Sequence, residues 1–239
     1  MLQIRGLEKQ FRVDGRAVPI LNIPEWSIAK GEKVAITGPS GSGKSTLLHL
    51  ISGILRPDRG EINLNETPLH KLKEVELDKL RATQIGYVLQ DFHLIPSLTV
   101  EQNVEIALKW RLSAKQKKDL IGGWLEKVGL QNRSTHLPSQ LSRGQQQRVA
   151  IVRALVNDPP LVLADEPTGS LDWETADGIS ELLLNLSASE RQTLIVVTHD
   201  LNMARRFPVC LDIYDVNRIR ESNNVRQAGV SGKQEASMA

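Results

Sequence analysis

The chain has 239 residues, 40% hydrophobic and 24% charged, a composition typical of a soluble globular protein with one large domain or one domain and a subdomain. Its formal net charge of +2 gives no reason to expect nucleic acid as the main partner. Cys210 is the single cysteine, which excludes a disulfide framework and a cysteine metal site and indicates a reducing compartment.

Residues 1 to about 36 are predicted to be mainly strands and turns. Short period-two patterns indicate strands before residue 36, and Lys33–Thr37 is predicted to be a buried strand that leads directly into a glycine-rich segment. A helix is predicted next, ending near Gly53, and residues 59–65 are predicted to form a hairpin strand. The apolar face of that helix is predicted to consist of Leu47, Leu48, Leu50, Ile51 and Ile54.

Residues 92–158 have the pattern of helices instead. Thr99 followed by Gln102, and Ser113 followed by Gln116, match the capping box and predict two helix starts. Gly129 is predicted to end the second of these helices.

After Pro160 the alternation of strands and helices resumes. Strands are predicted at 161–164 and 193–197, with a helix at 174–186 between them. This alternation indicates a parallel sheet covered by helices, into which the helical segment is inserted. We expect the small, polar residues from 221 onward to form a poorly ordered tail.

The segment from Gly38 to Ser45 matches the pattern G-x-x-x-x-G-K-S in the required place, after a strand and before a helix. Its glycines let the backbone bend around phosphate oxygens and point N–H groups at them, and the helix start adds its positive end. We expect Lys44 to contact the β- and γ-phosphates and the Ser45 hydroxyl to bind Mg²⁺. A glycine-rich turn without a ligand is the disfavoured alternative. The predicted nucleotide-binding residues are Gly38, Pro39, Ser40, Gly41, Ser42, Gly43, Lys44, Ser45 and Thr46.

An apolar strand at 161–164 runs into two carboxylates, Asp165 and Glu166. They emerge at the C-terminal edge of the sheet, where ligands of α/β proteins bind. We expect Asp165 to reach Mg²⁺ through water and Glu166 to accept a proton from attacking water. The alternative is that the two carboxylates only cap the following turn. This alternative is less favoured because the sequence also contains a phosphate-binding loop.

The run Leu141-Ser142-Arg143-Gly144-Gln145 resembles the LSGGQ signature of ATP-binding cassette (ABC) proteins. With the segments above, residues 2 to about 220 resemble the nucleotide-binding subunit of an ABC transporter. Ser142 is also a good N-cap by itself, and an exposed helix start with serine and glycine can bind an anion; an ordinary capped helix is the alternative. The resemblance implies that Ser142, Gly144 and Gln145 contact the γ-phosphate held by a second copy of the chain.

The resemblance assigns four further residues. Gln90 resembles the glutamine that contacts Mg²⁺ and the attacking water, and His199 resembles the switch histidine that contacts the γ-phosphate. Taken alone, His199 would be read as a polar residue at a strand end. Asp172 resembles the loop that crosses to the other subunit. Phe11 lies where the family places an aromatic ring on adenine, with a core phenylalanine as the alternative.

The fold implied by the resemblance is α/β, with a P-loop NTPase core of the ABC ATPase type, an antiparallel β subdomain and an inserted α-helical subdomain. The expected organisation is an ATPase domain at 1–220, its helical subdomain at about 92–158, and a polar tail at 221–239.

The sequence departs from the family pattern at two places. Arg143 replaces the second-position glycine of the signature, and we expect its side chain to point to solvent or to the permease-facing surface rather than to the γ-phosphate. The family's closing hairpin turns on glycine. Here Asp215, Val216 and Asn217 are predicted to turn instead, because asparagine tolerates positive φ.

Residues 85–104 are similar to the lipoprotein-release, macrolide-export and cell-division branch of the family. The resemblance implies hydrolysis of ATP to ADP and phosphate with Mg²⁺, dimerisation on ATP, and a separate integral membrane permease of the export or force-transmitting type. Residues 92–98 are interpreted as a docking groove for a permease helix, with plain subdomain core as the alternative.

The alternative function is a soluble ABC ATPase that powers a remodelling or cluster-assembly complex. The chain lacks the long coiled coil of DNA-maintenance types and the second cassette of translation types. No apolar run approaches the roughly 20 residues that span a bilayer, and the N-terminus lacks a secretory stretch. We therefore expect a cytoplasmic protein, peripheral on the cytoplasmic face of the inner (plasma) membrane, that meets the membrane only through the permease and binds no nucleic acid.

Overall fold

The structure is a computed structural model that describes residues 1–108, 112–189 and 191–219. The predicted tail at 221–239 lies outside these residues. The strands are β1 (Leu2–Val13), β2 (Arg16–Ile28), β3 (Lys33–Thr37), β4 (Arg59–Leu64), β5 (Thr67–Pro68), β6 (Ile85–Val88), β7 (Leu161–Asp165), β8 (Thr193–Thr198) and β9 (Val209–Asp212). The helices are α1 (Lys44–Ile51), α2 (Glu74–Gln84), α3 (Val100–Glu105), α4 (Ala114–Lys127), α5 (Arg143–Leu155), α6 (Trp173–Ser189), α7 (Leu201–Ala204) and α8 (Ile213–Val216).

The chain divides into two compact units. The first contains residues 1–28, 38–71 and the chain from Leu211, and the second contains residues 29–37 and 72–210. Because α3, α4 and α5 all belong to the second unit, the helical segment at 92–158 is not separated from the parallel sheet as a compact unit of its own.

The first unit is built on an antiparallel sheet with strand order β2-β1-β4-β5. β1 and β2 form a long hairpin whose turn residues, Asp14 and Gly15, both have positive φ, as the twist of a tight hairpin requires. Leu2, Ile4 and Leu7 of β1 are fully buried, so one face of the sheet carries the core of this unit. The predicted strand at 59–65 is confirmed as β4.

Strands β6, β7, β8 and β3 of the second unit are mutually parallel and belong to a sheet with strand order β6-β7-β8-β3-β9. The register pairs Thr37 with Thr198, and Asp165 with Val197, so β3, β7 and β8 end together at one edge. All residues of β7 and β8 are buried, as expected for strands covered on both faces. A Cβ on Gly86 would clash with the Ala154 carbonyl oxygen, so glycine permits the close approach of β6 and α5.

Most of the predicted elements are confirmed. Thr99 and Ser113 cap α3 and α4 with the reciprocal bonds of a capping box, and Gly129, with φ +70°, follows the end of α4. The α/β fold with an antiparallel sheet and a helix-covered parallel sheet is confirmed as well. No helix within the described residues combines the length and the apolar character needed to cross a membrane.

Two predictions are wrong. Ile54 lies beyond the end of α1 and is 52% exposed, because the chain leaves the helix at Ser52 and Gly53. Residues 215–217 do not form a turn with positive φ at Asn217, whose φ is −98°. Instead Asp212 caps the short helix α8, and the buried Asn217 side chain accepts a hydrogen bond from Asn22 N and donates one to Ile20 O.

Candidate functional site

The glycine-rich loop, part of the first unit, folds back on the lysine that follows it. Lys44 begins α1, is almost fully buried, and donates from Nζ to the Gly38 carbonyl at 2.8 Å and the Pro39 carbonyl at 3.0 Å. A Cβ on Gly38 would lie 2.6 Å from Cγ2 of Ile213, and one on Gly43 would lie 2.9 Å from Cδ2 of Leu21. The loop therefore needs glycine for packing as well as for its left-handed backbone.

The same loop has features expected of a phosphate-binding site. Ser42 Oγ is buried and has no hydrogen-bond partner among the described residues, which is unusual for a hydroxyl inside a protein. The ammonium of Lys44 supplies a positive charge at the same loop. These features fit the oxygens of a polyphosphate.

Glu166 follows β7 with a left-handed backbone, φ +44°, and its N–H donates to the Val197 carbonyl at 2.9 Å. Its Oε2 accepts hydrogen bonds from Thr198 Oγ1 at 3.0 Å and His199 N at 3.2 Å, and it lies 2.9 Å from His199 Nδ1. The Glu166 side chain is 12% exposed, whereas that of His199 is 67% exposed. The carboxylate is therefore held in place while the histidine ring beside it faces solvent.

Asp165 is buried at the end of β7 and influences a neighbouring phenol. Burial, and secondarily the negative charge of Asp165, raises the pKa of Tyr87 far above its usual range. Tyr87 therefore stays a neutral phenol at any physiological pH.

Gln90 follows the end of β6, and its side chain lies near the turn that follows Glu166. Gly169 N donates to the Glu166 carbonyl at 3.0 Å, and Gln90 Nε2 lies 4.0 Å from the position of a Cβ on Gly169. The structure thus brings Gln90, Asp165, Glu166 and His199 to the same edge of the second unit.

The predicted N-cap at Ser142 is confirmed. Ser142 Oγ accepts from Gln145 N at 3.3 Å, and Gln145 Oε1 accepts from Ser142 N at 3.0 Å. Ser142 and Arg143 are exposed, but Gly144 is buried, and a Cβ there would clash with Cγ2 of Thr175. Gly144 thus lets the start of α5 pack against the start of α6.

Asp172 lies directly before α6 and accepts hydrogen bonds from Thr175 N at 3.0 Å and Thr175 Oγ1 at 2.8 Å. These bonds, the backbone one first, lower the pKa of the exposed Asp172 carboxyl, which therefore stays ionised. Because Thr175 holds Asp172 and also packs on Gly144, it brings the loop at 170–172 next to the start of α5. Trp173, the next residue along the chain, is 82% exposed.

Phe11 belongs to β1 of the first unit and is 37% exposed, with Lys9 Nζ 5.6 Å from its ring centroid. It is a surface residue, so the alternative of a core phenylalanine does not describe it.

Sequence reasoning missed several residues that support this site. Thr198 fixes the Glu166 carboxylate, and Thr175 imposes the glycine at position 144. The signal for Thr198 was its hydroxyl at the last position of a buried strand, directly before His199. Nothing local indicated the role of Thr175, because its partner is 31 positions away along the chain.

Comparison with known proteins finds a family model described as ABC transporter, which matches residues 21–169. An uncharacterised ABC transporter ATP-binding protein of Methanocaldococcus jannaschii, MJ0796, is 42% identical over 210 residues, which cover 86% of this chain and 89% of the relative. The ABC transporter ATP-binding protein YtrE of Bacillus subtilis is 41% identical over 209 residues, covering 85% and 90%.

Solved structures are similar as well. A dimeric post-hydrolysis state of MJ0796 bound to ADP and Pi superposes with a TM-score of 0.82 at 38% identity, covering 89% of this chain and 94% of that one. The protein cbiO1 of Clostridium perfringens, described as part of the ABC transporter complex cbiONQ, superposes with a TM-score of 0.75 at 31% identity, covering 84% and 79%.

Proposed function

Because this chain belongs to the ATP-binding subunits of ABC transporters, which hydrolyse ATP as dimers, we propose that two copies enclose two Mg²⁺-ATP and use their hydrolysis to drive a separate membrane permease. One observation carries the proposal. The Glu166 carboxylate is fixed by Thr198 and His199 at the sheet edge where β3 also ends, and β3 leads directly into the glycine-rich loop.

We assign the phosphates of ATP to the loop from Gly38 to Ser45. The buried hydroxyl of Ser42, the ammonium of Lys44 and the N–H groups of the glycine turns match the oxygens of a triphosphate. Ser45, Gln90 and Asp165 would hold Mg²⁺, which supplies neutralisation of the developing negative charge when bound. Three protein ligands are enough for Mg²⁺, because it takes the rest of its coordination sphere from phosphates and water.

Glu166 is assigned the role of general base. Its oxygen Oε2 is held by two hydrogen-bond donors and approached by the His199 ring, so the carboxylate needs no reorganisation before it accepts a proton from water. Gln90 is assigned to orient that water, and His199 to contact the γ-phosphate through its exposed ring.

We assign Ser142, Gly144, Gln145 and Asp172 to the ATP held by the other subunit. The start of α5 exposes Ser142 and carries the positive end of a 13-residue helix, which suits the charge of a γ-phosphate. We assign Phe11 to stack on the adenine ring, because its aromatic side chain on β1 is exposed.

The assignment of Glu166 is tested by Glu166→Gln, with Glu126→Gln, an exposed carboxylate on α4, as the control. We expect Glu166→Gln to lower turnover 10²–10⁴-fold, to retain ATP binding and to accumulate an ATP-bound dimer, because a general base is lost while the phosphate contacts remain. Steady-state ATPase rates and light scattering after gel filtration measure both effects. Near-normal turnover in this variant would remove Glu166 from the base role.

The proposed partner is an integral permease of the export or force-transmitting type, met on the cytoplasmic face of the inner membrane, with residues 92–98 as its docking groove. No nucleic acid is proposed as a partner. The support is the similarity of residues 85–104 to the export and lipoprotein-release branch, together with relatives that are transporter ATP-binding proteins. Affinity purification from detergent-solubilised membranes of the source cell should recover one stoichiometric membrane protein. Recovery of only soluble proteins would favour a remodelling complex instead.

A further inference from the structure

Asp58 ties the strand that carries Phe11 to the segment that follows α1. The pairing of β4 with β1 ends at Arg59 and Glu8. One residue before β4, Asp58 N donates to the Glu8 carbonyl at 2.9 Å, and Asp58 Oδ2 accepts a hydrogen bond from Gln10 N at 2.7 Å. The register of β1 against β2 shifts directly before Gln10. Asp58 therefore holds the irregular part of β1, immediately before Phe11.

The same carboxylate holds Lys9. Lys9 Nζ donates to Asp58 Oδ1 at 3.1 Å and to the Arg56 carbonyl at 2.9 Å, and the Lys9 side chain is 13% exposed. The ammonium also lies over the ring of Phe11, 5.6 Å from its centroid, within the distance of a cation–π contact. Two oxygen acceptors therefore fix a positive charge against one face of Phe11.

The Asp58 carboxyl is ionised at neutral pH. Burial acts to raise its pKa, but the N–H of Gln10 and the ammonium of Lys9 act in the opposite direction and lower the pKa below its usual value. A partly buried pair that shares further hydrogen bonds differs from an exposed pair, which adds little. The contact between Lys9 and Asp58 is thus present throughout the physiological pH range.

These contacts connect Phe11 with the helix that follows the glycine-rich loop. Arg56 and Asp58 belong to the segment between α1 and β4, and Leu55 N donates to the His49 carbonyl near the end of α1 at 3.0 Å. This segment, α1, the glycine-rich loop and Phe11 all belong to the first unit. The ion pair therefore joins the aromatic ring to the chain that leaves α1.

We propose that Lys9 and Asp58 are positioning residues for the adenine ring of the nucleotide. This inference rests on the proposed function, in which Phe11 stacks on adenine. Asp58 holds the Lys9 ammonium against one face of Phe11, and the opposite face receives the base. An aromatic ring that is fixed before the ligand arrives loses less conformational entropy on binding, so the nucleotide binds more tightly. Lys9 and Asp58 therefore contribute to nucleotide affinity and leave the hydrolytic step unchanged.

Two probes separate the adenine site from the phosphate site. ADP and inorganic pyrophosphate, each with Mg²⁺, both present a diphosphate to the loop at 38–45, but only ADP carries adenine. We expect Lys9→Met and Asp58→Asn each to weaken ADP binding by about three- to tenfold, the size of one aromatic contact. The Kd of pyrophosphate should change by less than about twofold. Isothermal titration calorimetry measures both dissociation constants.

Steady-state ATPase kinetics give a second readout. The KM for ATP should rise by a similar factor in both variants while kcat stays within about twofold, because uniform binding is lost and the region of Glu166 is untouched. Lys9→Arg keeps a cation that can bond the carboxylate and lie over an aromatic ring, so it should retain ADP affinity within about twofold. Asp58→Asn keeps an acceptor for Gln10 N and decides the question if Lys9→Met does not fold.

The neighbouring ion pair is the matched control. Arg59 and Glu8 join the same two segments one residue away, with a nitrogen of Arg59 3.8 Å from Oε2 of Glu8. Their side chains are 78% and 51% exposed, so this pair adds little to stability. We expect Arg59→Met to leave ADP affinity, KM and kcat within about twofold of the values of the unaltered protein.

Each outcome decides a separate point. Unchanged ADP affinity in a folded Lys9→Met variant would overturn the role of Lys9, and in Asp58→Asn that of Asp58. An equal loss of pyrophosphate affinity, or an equal effect of Arg59→Met, would show general damage to this part of the fold and overturn the positioning role. Unchanged ADP affinity in Phe11→Ala would remove adenine from Phe11 and overturn this inference, while the assignment of hydrolysis to Glu166 would stand. An unaltered protein that binds neither ADP nor pyrophosphate would overturn the proposed function itself.

Discussion

At the residue scale, Glu166 combines a left-handed backbone conformation with a carboxylate that accepts hydrogen bonds from Thr198 and His199. A left-handed conformation is disfavoured for glutamate by roughly 1–2 kcal/mol, and the surrounding structure must offset this cost. The hydrogen bond from Glu166 N to Val197 O and the donors around its carboxylate do so.

Arg143 is the residue at which the signature segment leaves the family pattern, and it is exposed. We expect Arg143→Gly to change the ATPase rate of the isolated protein by less than about threefold, under 1 kcal/mol on the barrier. The reason is that, in the proposed site, backbone N–H groups at the start of α5 contact the γ-phosphate without help from this side chain. A steady-state ATPase assay measures it. A hundredfold loss, with circular dichroism unchanged, would instead make Arg143 a catalytic residue acting on the partner's ATP.

The parts of the site that follow from local chemistry could be predicted from the sequence. Ser142 as an N-cap requires only its own side chain and the residues of the next turn. The left-handed backbone of Glu166 and its bond to Thr198 could not be predicted, because Thr198 lies 32 residues further along the chain, in another strand. The need for glycine at position 144 could not be predicted either, because it arises from the packing of α6 against α5.

At the scale of elements, α4 contains two adjacent glycines that packing within the described chain does not require. Gly122 and Gly123 are exposed, and a Cβ on either would meet no described atom within 4 Å. We expect Gly122→Ala and Gly123→Ala each to raise the free energy of unfolding by about 0.5–1 kcal/mol, because alanine loses less backbone entropy in a helix. Urea denaturation followed by circular dichroism measures this.

Gly86→Ala provides the contrast for that measurement. A Cβ at Gly86 would clash with the Ala154 carbonyl, so the same substitution in β6 should destabilise the protein. If alanine at 122 and 123 proved destabilising too, some contact with these glycines beyond those described here would be required.

The elements predicted correctly have strong apolar periodicity or clear caps over several turns, whereas those missed are short or have few apolar residues. Helix α2 has only Leu77 and Leu80 buried, and its N-cap position is Lys73, a residue type not favoured there. Strand β6 is only four residues long, and one of them is glycine. Helix α8 was mistaken for a turn because the identity of Asn217 suggested positive φ, whereas its side chain is used to bind the edge of β2.

At the scale of the whole molecule, the proposed sharing of each site between two copies makes activity depend on protein concentration. We expect the ATPase rate per protomer to rise with concentration and then level off, because a monomer lacks the start of α5 that contacts its ATP. Serial dilution with light scattering measures it. Trp173 supplies an independent readout, since its exposed indole follows Asp172 directly and its emission should shift to the blue when a second copy covers it.

Constant specific activity across a range in which light scattering reports monomer would contradict the shared site. A monomeric Glu166→Gln variant at saturating ATP would contradict it independently.

The packing of Ile213 against the glycine-rich loop also has a consequence for synthesis of the protein. Gly38 is made early and Ile213 near the end of the described chain, yet their side-chain positions meet within one compact unit. At the usual pace of translation, the loop waits roughly 10–35 seconds for this partner. A nascent chain therefore lacks this contact until α8 has been made, and we expect ribosome-bound fragments that end before α8 to retain nucleotide less well than the finished protein does.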